Sequence, residues 1–91
     1  MRIVAEIPHH DYKITVFNMN NKLSIKLESR LLEQTFKFRE GSGMDSVEDI
    51  EKLLTPAFLN EVEKSFQIMA RARQMGIQDI SGDENEFPVI V

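Results

Sequence analysis

Between residues 12 and 37 apolar and polar side chains alternate, and the alternation is interrupted at Asn20-Asn21 and again near Ser29-Arg30. A period of two sends successive side chains to opposite faces of an extended strand, so this stretch predicts a hairpin and a further strand. With Asn20-Asn21 as a two-residue turn, a place that suits Asn because it tolerates positive φ, Val16 falls opposite Ile25 and Ile14 opposite Leu27. The same register sets Lys13 against Glu28, Thr15 against Lys26 and Phe17 against Ser24 on the other face. A slip of one residue would put Val16 against Ser24 or Lys26, so the pattern itself resists the wrong pairing.

Upstream, Ile3, Ala5 and Ile7 alternate with Arg2, Val4 and Glu6, a half-buried strand that ends at Pro8, which cannot donate to a ladder. Only His9-His10-Asp11 separates it from the next strand, so the connection is antiparallel. Downstream, a reversal at Ser29-Arg30 leads into Leu32, Gln34, Phe36 and Phe38, which alternate with Glu33, Thr35, Lys37 and Arg39. Gly41-Ser42-Gly43 then breaks the strand pattern.

Past that break the period changes to that of a helix. Asp45 is the expected N-cap, with Glu48 reaching back in a capping box, and Val47, Ile50, Leu53 and Leu54 share a stripe. Thr55 caps a second helix whose first position is Pro56. A step of about 100° per residue gathers Phe58, Leu59, Val62, Phe66, Met69 and Ala70 into one stripe facing the sheet. Gly76 is the expected stop. Ile68, Ala72 and Met75 fall on a flank of that stripe, where they are expected to meet the first helix or a second subunit.

The pattern therefore predicts an α+β domain. It holds a four-stranded antiparallel meander at about residues 1–8, 11–19, 22–28 and 31–39, and two C-terminal helices at about 46–54 and 56–75 on one face. Residues 1–76 are expected to form the domain, and residues 77–91 an acidic tail that ends in Phe87-Pro88-Val89-Ile90-Val91 and is loose or adds to a sheet edge. A chain of this size supplies one core. With no cysteine in the sequence, packing has to stabilise it without disulfides.

Net charge, −4, is unevenly divided. Residues 1–40 carry seven Lys/Arg against five Asp/Glu (+2), and residues 41–91 carry four against ten (−6). This argues against wrapping nucleic acid overall, yet Lys13, Lys26, Lys37 and Arg39 around Phe17, with Met19 nearby, mark the outer sheet face as a possible interaction surface. The start of the chain lacks the apolar run of a secretion signal and no stretch is apolar enough to span a membrane, so a cytoplasmic address is expected.

Candidate chemistry is sparse. His9-His10-Asp11 is the one run of ligand-capable side chains, but neighbours in an extended segment point to opposite faces, so no shared metal ion is expected there. A solvated turn is, with Asp11 accepting backbone N–H bonds. Asp45, Glu48, Asp49 and Glu51 lie where a helix dipole favours acids, without the alternating ligand spacing of a calcium loop. No serine sits in a nucleophile elbow. No cofactor and no enzymatic activity are expected.

The run Arg2-Ile3-Val4-Ala5-Glu6-Ile7-Pro8-His9, with Asp11, Lys13-Ile14-Thr15 and Leu31-Leu32-Glu33-Gln34-Thr35, resembles a family of small uncharacterised bacterial proteins over roughly residues 2–37. The resemblance implies a free-standing cytoplasmic domain and carries no activity or functional residues. The chain departs from the family pattern at Arg30, where Gly is expected before Leu31. The function expected is that of a small interaction or regulatory domain, acting through a homodimer or another protein partner. The alternative is single-stranded nucleic-acid binding on the sheet, and a metal-dependent or small-molecule enzyme ranks last.

Overall fold

In a computed structural model, which describes residues 1–82, the alternating stretch forms three of four antiparallel strands. They are β1 (Arg2–Ile7), β2 (Lys13–Met19), β3 (Lys22–Ser29) and β4 (Leu32–Lys37), in spatial order β1-β2-β3-β4. β2 and β3 pair as the hydrophobic pattern requires, Val16 with Ile25 and Ile14 with Leu27. Asn20 and Asn21 take φ values of 55° and 65°, the left-handed geometry that a two-residue hairpin turn needs at both central positions.

The second reversal falls one residue later than the sequence suggests. Ser29 pairs with Leu32, so Arg30-Leu31 is the turn. This register sets Phe36 beside Ile25 and lets the Phe38 N–H reach the Leu23 carbonyl at 3.1 Å, whereas the earlier turn would have left Phe38 opposite Asn21. Arg30 carries φ 56°, left-handed backbone that costs a non-glycine residue about 1–2 kcal/mol. It is the position at which the resemblance led us to expect Gly.

β1 also departs from simple alternation. Its register shifts between Ile3, which pairs with Phe17, and Ala5, which pairs with Val16. Val4 is thus the extra residue of a β-bulge, which flips the side-chain alternation on one side of it. Val4, Ala5 and Ile7 pack on the core, while Ile3, expected inside with Ala5 and Ile7, is 56% exposed on the outer face.

Two helices follow, α1 (Val47–Leu53) and α2 (Pro56–Gly82). The α1 cap is Ser46 rather than Asp45, and its box partner is Asp49 rather than Glu48. Ser46 Oγ accepts the Asp49 N–H at 3.2 Å, and Asp49 Oδ2 accepts the N–H groups of Asp45 and Ser46 at 3.1 and 3.2 Å. The Asp45 amide, then Ser46, holds the Asp49 carboxyl below the ordinary carboxylate range. Thr55 Oγ1 caps α2 by accepting the Phe58 N–H at 3.1 Å, as expected.

The helix does not stop at Gly76. Gly in a helix interior costs about 1 kcal/mol relative to Ala, which discourages helix without forbidding it. Between Gly76 and Gly82 no proline intervenes, and Ile77-Gln78-Asp79-Ile80 continue the turns. The apolar segment at residues 87–91, expected to stay loose or dock on an edge, lies outside the described residues.

The core sits between the sheet and the helices. Ile14, Val16, Ile25 and Leu27 meet Ile50 from α1 and Val62 and Phe66 from α2, with Phe58, Leu59 and Met69 packed around them. The Phe36 and Phe58 rings tilt together at 5.3 Å, and Gln34 Nε2 donates to the Val62 carbonyl at 3.0 Å, tying β4 to α2. A compact chain of this length has a radius of gyration of about 12 Å; here it is 17.0 Å, with a longest dimension of 52 Å. The excess comes from α2, which at 27 residues is about 40 Å long and outruns the sheet it covers.

Candidate functional site

Three surfaces remain after the core is closed. The first is the free half of α2, where every side chain from Arg71 to Ile80 is exposed. Continuing the helical step places Ile77 and Ile80 on the Val62–Phe66–Met69 stripe, while Ala72, Ile68 and Met75 lie about 100°, 140° and 160° round the helix from its centre. Ile68, Met75, Ile77 and Ile80 are 61%, 57%, 51% and 68% exposed. The expected contact of Ile68, Ala72 and Met75 with the first helix is therefore not made, since α1 packs against the sheet near β1 and all three point to solvent. Ile77 and Ile80 lie beyond the helix end that Gly76 predicts, so the sequence pattern alone leaves them out. Carrying the same angular step four residues further would have found them.

The second surface is the outer sheet face. Ile3, Phe17, Ser24 and Lys37 form one cross-strand row and Glu6, Thr15, Lys26 and Thr35 the next. Phe17, Lys26 and Lys37 thus share a face as expected, with Met19 at the strand end. Lys26 Nζ stands 5.2 Å from the Phe17 ring centroid and 3.4 Å from Glu28 Oε2. One face of the ring a base would stack on is already occupied, and the nearest cation is already paired. Lys13 does not surround Phe17. It lies four residues along β2, opposite Glu28, and Glu28 in turn faces Glu33. Arg39 follows the end of β4. With Glu6, Glu28 and Glu33 among the lysines, the face has mixed charge rather than a basic field.

The third is an open cleft between the β1–β2 connection, the end of β3 with Arg30, and the covered half of α2. His10, His9, Tyr12 and Phe66 stack in series, with centroids 5.0, 5.2 and 5.6 Å apart. This ladder of rings runs from solvent into the core. The phenol of Tyr12 donates to Glu63 Oε1 at 2.5 Å, and Gln67 Nε2 donates to Glu63 Oε2 at 3.4 Å. Burial first, then the bond to the Glu63 carboxylate and its charge, push the Tyr12 hydroxyl from 10.0 up to about 12.

The His9-His10-Asp11 run does not have the extended geometry expected of it. The chain bends at His10 and Asp11, so the two imidazoles stack on one side instead of diverging. The hydrogen bond is also inverted. The Asp11 amide donates to His9 Nδ1 at 3.1 Å, and the Asp11 carboxylate faces His10 Nε2 at 3.3 Å. Donor atoms of all three residues lie within 4.8 Å of one another.

Among the described residues no helix is long and apolar enough to cross a membrane. Comparison of the chain with protein-family models, with curated proteins and with solved structures gives no match.

Proposed function

We propose that the protein is a small interaction domain that pairs with a second copy of itself through the free half of α2. One observation carries this reading: a helix that extends beyond its own sheet keeps presenting Ile68, Met75 and Ile80, all more than half exposed, on the side that holds Ala72 and Gly76, with Ile77 exposed on the other side. Burying a side chain of this size stabilises by about 1.5–3 kcal/mol, and a helical segment without tertiary packing is marginal in water. Both penalties are relieved by a partner helix.

Charge selects the partner. The free half begins with Arg71 and Arg73 and ends with Asp79. Two copies laid antiparallel bring the basic end of each beside the acidic end of the other, whereas a parallel pair would place arginine over arginine. The surface is thus self-complementary, which a two-fold interface demands. Ala72 and Gly76, four residues apart, allow the two backbones to approach closely. The absence of cysteine suits a reducing cytoplasmic setting. No catalytic role is part of this reading.

Sedimentation velocity of the full chain from low to high micromolar concentration tests it. The expected result is a concentration-dependent shift from monomer to dimer that the double substitution Met75→Lys with Ile80→Lys abolishes. A strict monomer at high micromolar concentration overturns the proposal, as does a dimer that both lysines leave unchanged.

A further inference from the structure

The cleft holds a second feature, independent of the α2 pairing. We infer that His9, His10 and Asp11 form a binding site for one divalent transition-metal ion of the zinc class. Two imidazoles and a carboxylate are the donor set that borderline ions such as Zn²⁺ favour. In this chain they come from one bend rather than from separate elements.

The geometry is close to what an ion needs. Ligand atoms around a tetrahedral Zn²⁺ at about 2.0–2.1 Å stand roughly 3.3–3.4 Å from one another. His10 Nε2 and Asp11 Oδ2 are already 3.3 Å apart. All three donors fit within 4.8 Å, about 1.5 Å wider than the spacing around an ion, so His10 and Asp11 have to close toward His9. The residues able to move are the ones that need to. The side chains of His10 and Asp11 are 87% and 59% exposed and rotate freely, whereas His9 is held between the rings of His10 and Tyr12.

Stacked rings aim their in-plane lone pairs in parallel, so His10 has to turn out of the stack to share an ion with His9. His9 Nδ1 now accepts the Asp11 N–H. Binding through that nitrogen exchanges the hydrogen bond for the metal and leaves the Asp11 amide, at an exposed bend, to water. The remaining coordination positions are filled by water. The site lies in the same cleft as Tyr12, Glu63 and Arg30, which leaves room for a small anionic ligand at the open positions. Because the bend joins β1 to β2, a bound ion would clamp the two strands together and stabilise the folded chain by mass action.

Calorimetric titration of the tag-free full chain with Zn²⁺ is the test, alongside visible absorption of the Co²⁺ form and melting with and without Zn²⁺. Expected are one ion per chain, a Co²⁺ d–d band and a zinc-dependent rise in melting temperature. His10→Ala and Asp11→Asn alter only exposed side chains, so the fold persists, and each is expected to weaken binding at least tenfold. Wild-type chain that gives neither heat nor a melting shift overturns the inference. So does Zn²⁺ binding that the His9→Ala, His10→Ala double variant retains undiminished, because the ion would then sit elsewhere. Sedimentation of these variants separates this outcome from the α2 proposal, since neither substitution touches that helix.

Discussion

The two halves of α2 are built on one helical pattern and meet opposite fates. From Phe58 to Ala70 the apolar stripe is spent on the sheet, with Val62 and Phe66 buried and Phe58, Leu59 and Met69 packed around them. From Arg71 to Ile80 the same stripe carries Ile77 and Ile80, and no side chain is even half-buried by the fold. The difference lies in the length of what they face. β4 is six residues long, about 20 Å of strand, against some 40 Å of helix. An amphipathic face therefore does not by itself report a cover within the same chain, and the lengths of the neighbouring elements tell how much of it the chain's own sheet reaches.

The largest effects expected are those that separate the halves. Phe66→Ala removes a buried ring that stacks on Tyr12, and its loss should lower folding stability by about 3–5 kcal/mol, read as a drop in the urea midpoint. Ile80→Lys in the free half should leave the stability of the dilute monomer within about 0.5 kcal/mol of wild type. In sedimentation the same variant should weaken self-association at least tenfold, about 1.4 kcal/mol. If Ile80→Lys destabilises the monomer as severely as Phe66→Ala, the two halves are not distinct and α2 has a cover within its own chain.

A smaller effect tests the seam between them. Gly76 lies in the free half, where an added Cβ would meet nothing within 4 Å of the monomer. Gly76→Ala should raise helix content and stabilise the C-terminal turns by about 0.8–1 kcal/mol through propensity alone, measured by amide exchange at residues 77–80. Unchanged exchange there would show that α2 does not continue past Gly76 in solution. The same variant puts a methyl group where two helices would approach, so tighter helix with weaker dimer is the combined signature of the antiparallel pair.

Much of this fold was legible because burial and local sequence agree. The Val16–Ile25 and Ile14–Leu27 register, the Asn20-Asn21 turn and the Phe58–Met69 stripe follow from alternation, positive-φ tolerance and helical angle alone. The readings that failed did so where two local signals compete. Asp45 and Ser46 are both good caps, and the one with an acid three residues on that closes the box is Ser46. Ile3 and Val4 are both apolar, and only the pairing with Phe17 and Val16 reveals which is the bulge. The cleft was harder still, because Tyr12 and Glu63 are 51 residues apart and no periodicity links them. The bend that gathers His9, His10 and Asp11 is one that an alternation rule misassigns, since it assumes an extended chain.

The link between Tyr12 and Glu63 gives the mildest test of the covered half. Tyr12 is the chain's single tyrosine and there is no tryptophan, so tyrosinate absorption in an alkaline titration reports this one phenol. Its ordinary value of 10.0 is raised to about 12 in the folded protein, which means the native state keeps the proton where the unfolded chain has released it. The stability this contributes is complete below about pH 10 and is lost as pH rises through about 12. Glu63→Gln retains an acceptor for the phenol but removes the negative charge, so the midpoint should fall while burial still holds it above 10.0. A midpoint that Glu63→Gln does not move would mean that the Glu63 charge does not reach the phenol. The hydrogen bond joining the cleft to α2 would then be absent in solution, and the covered half would be held by its apolar stripe without polar help on that side.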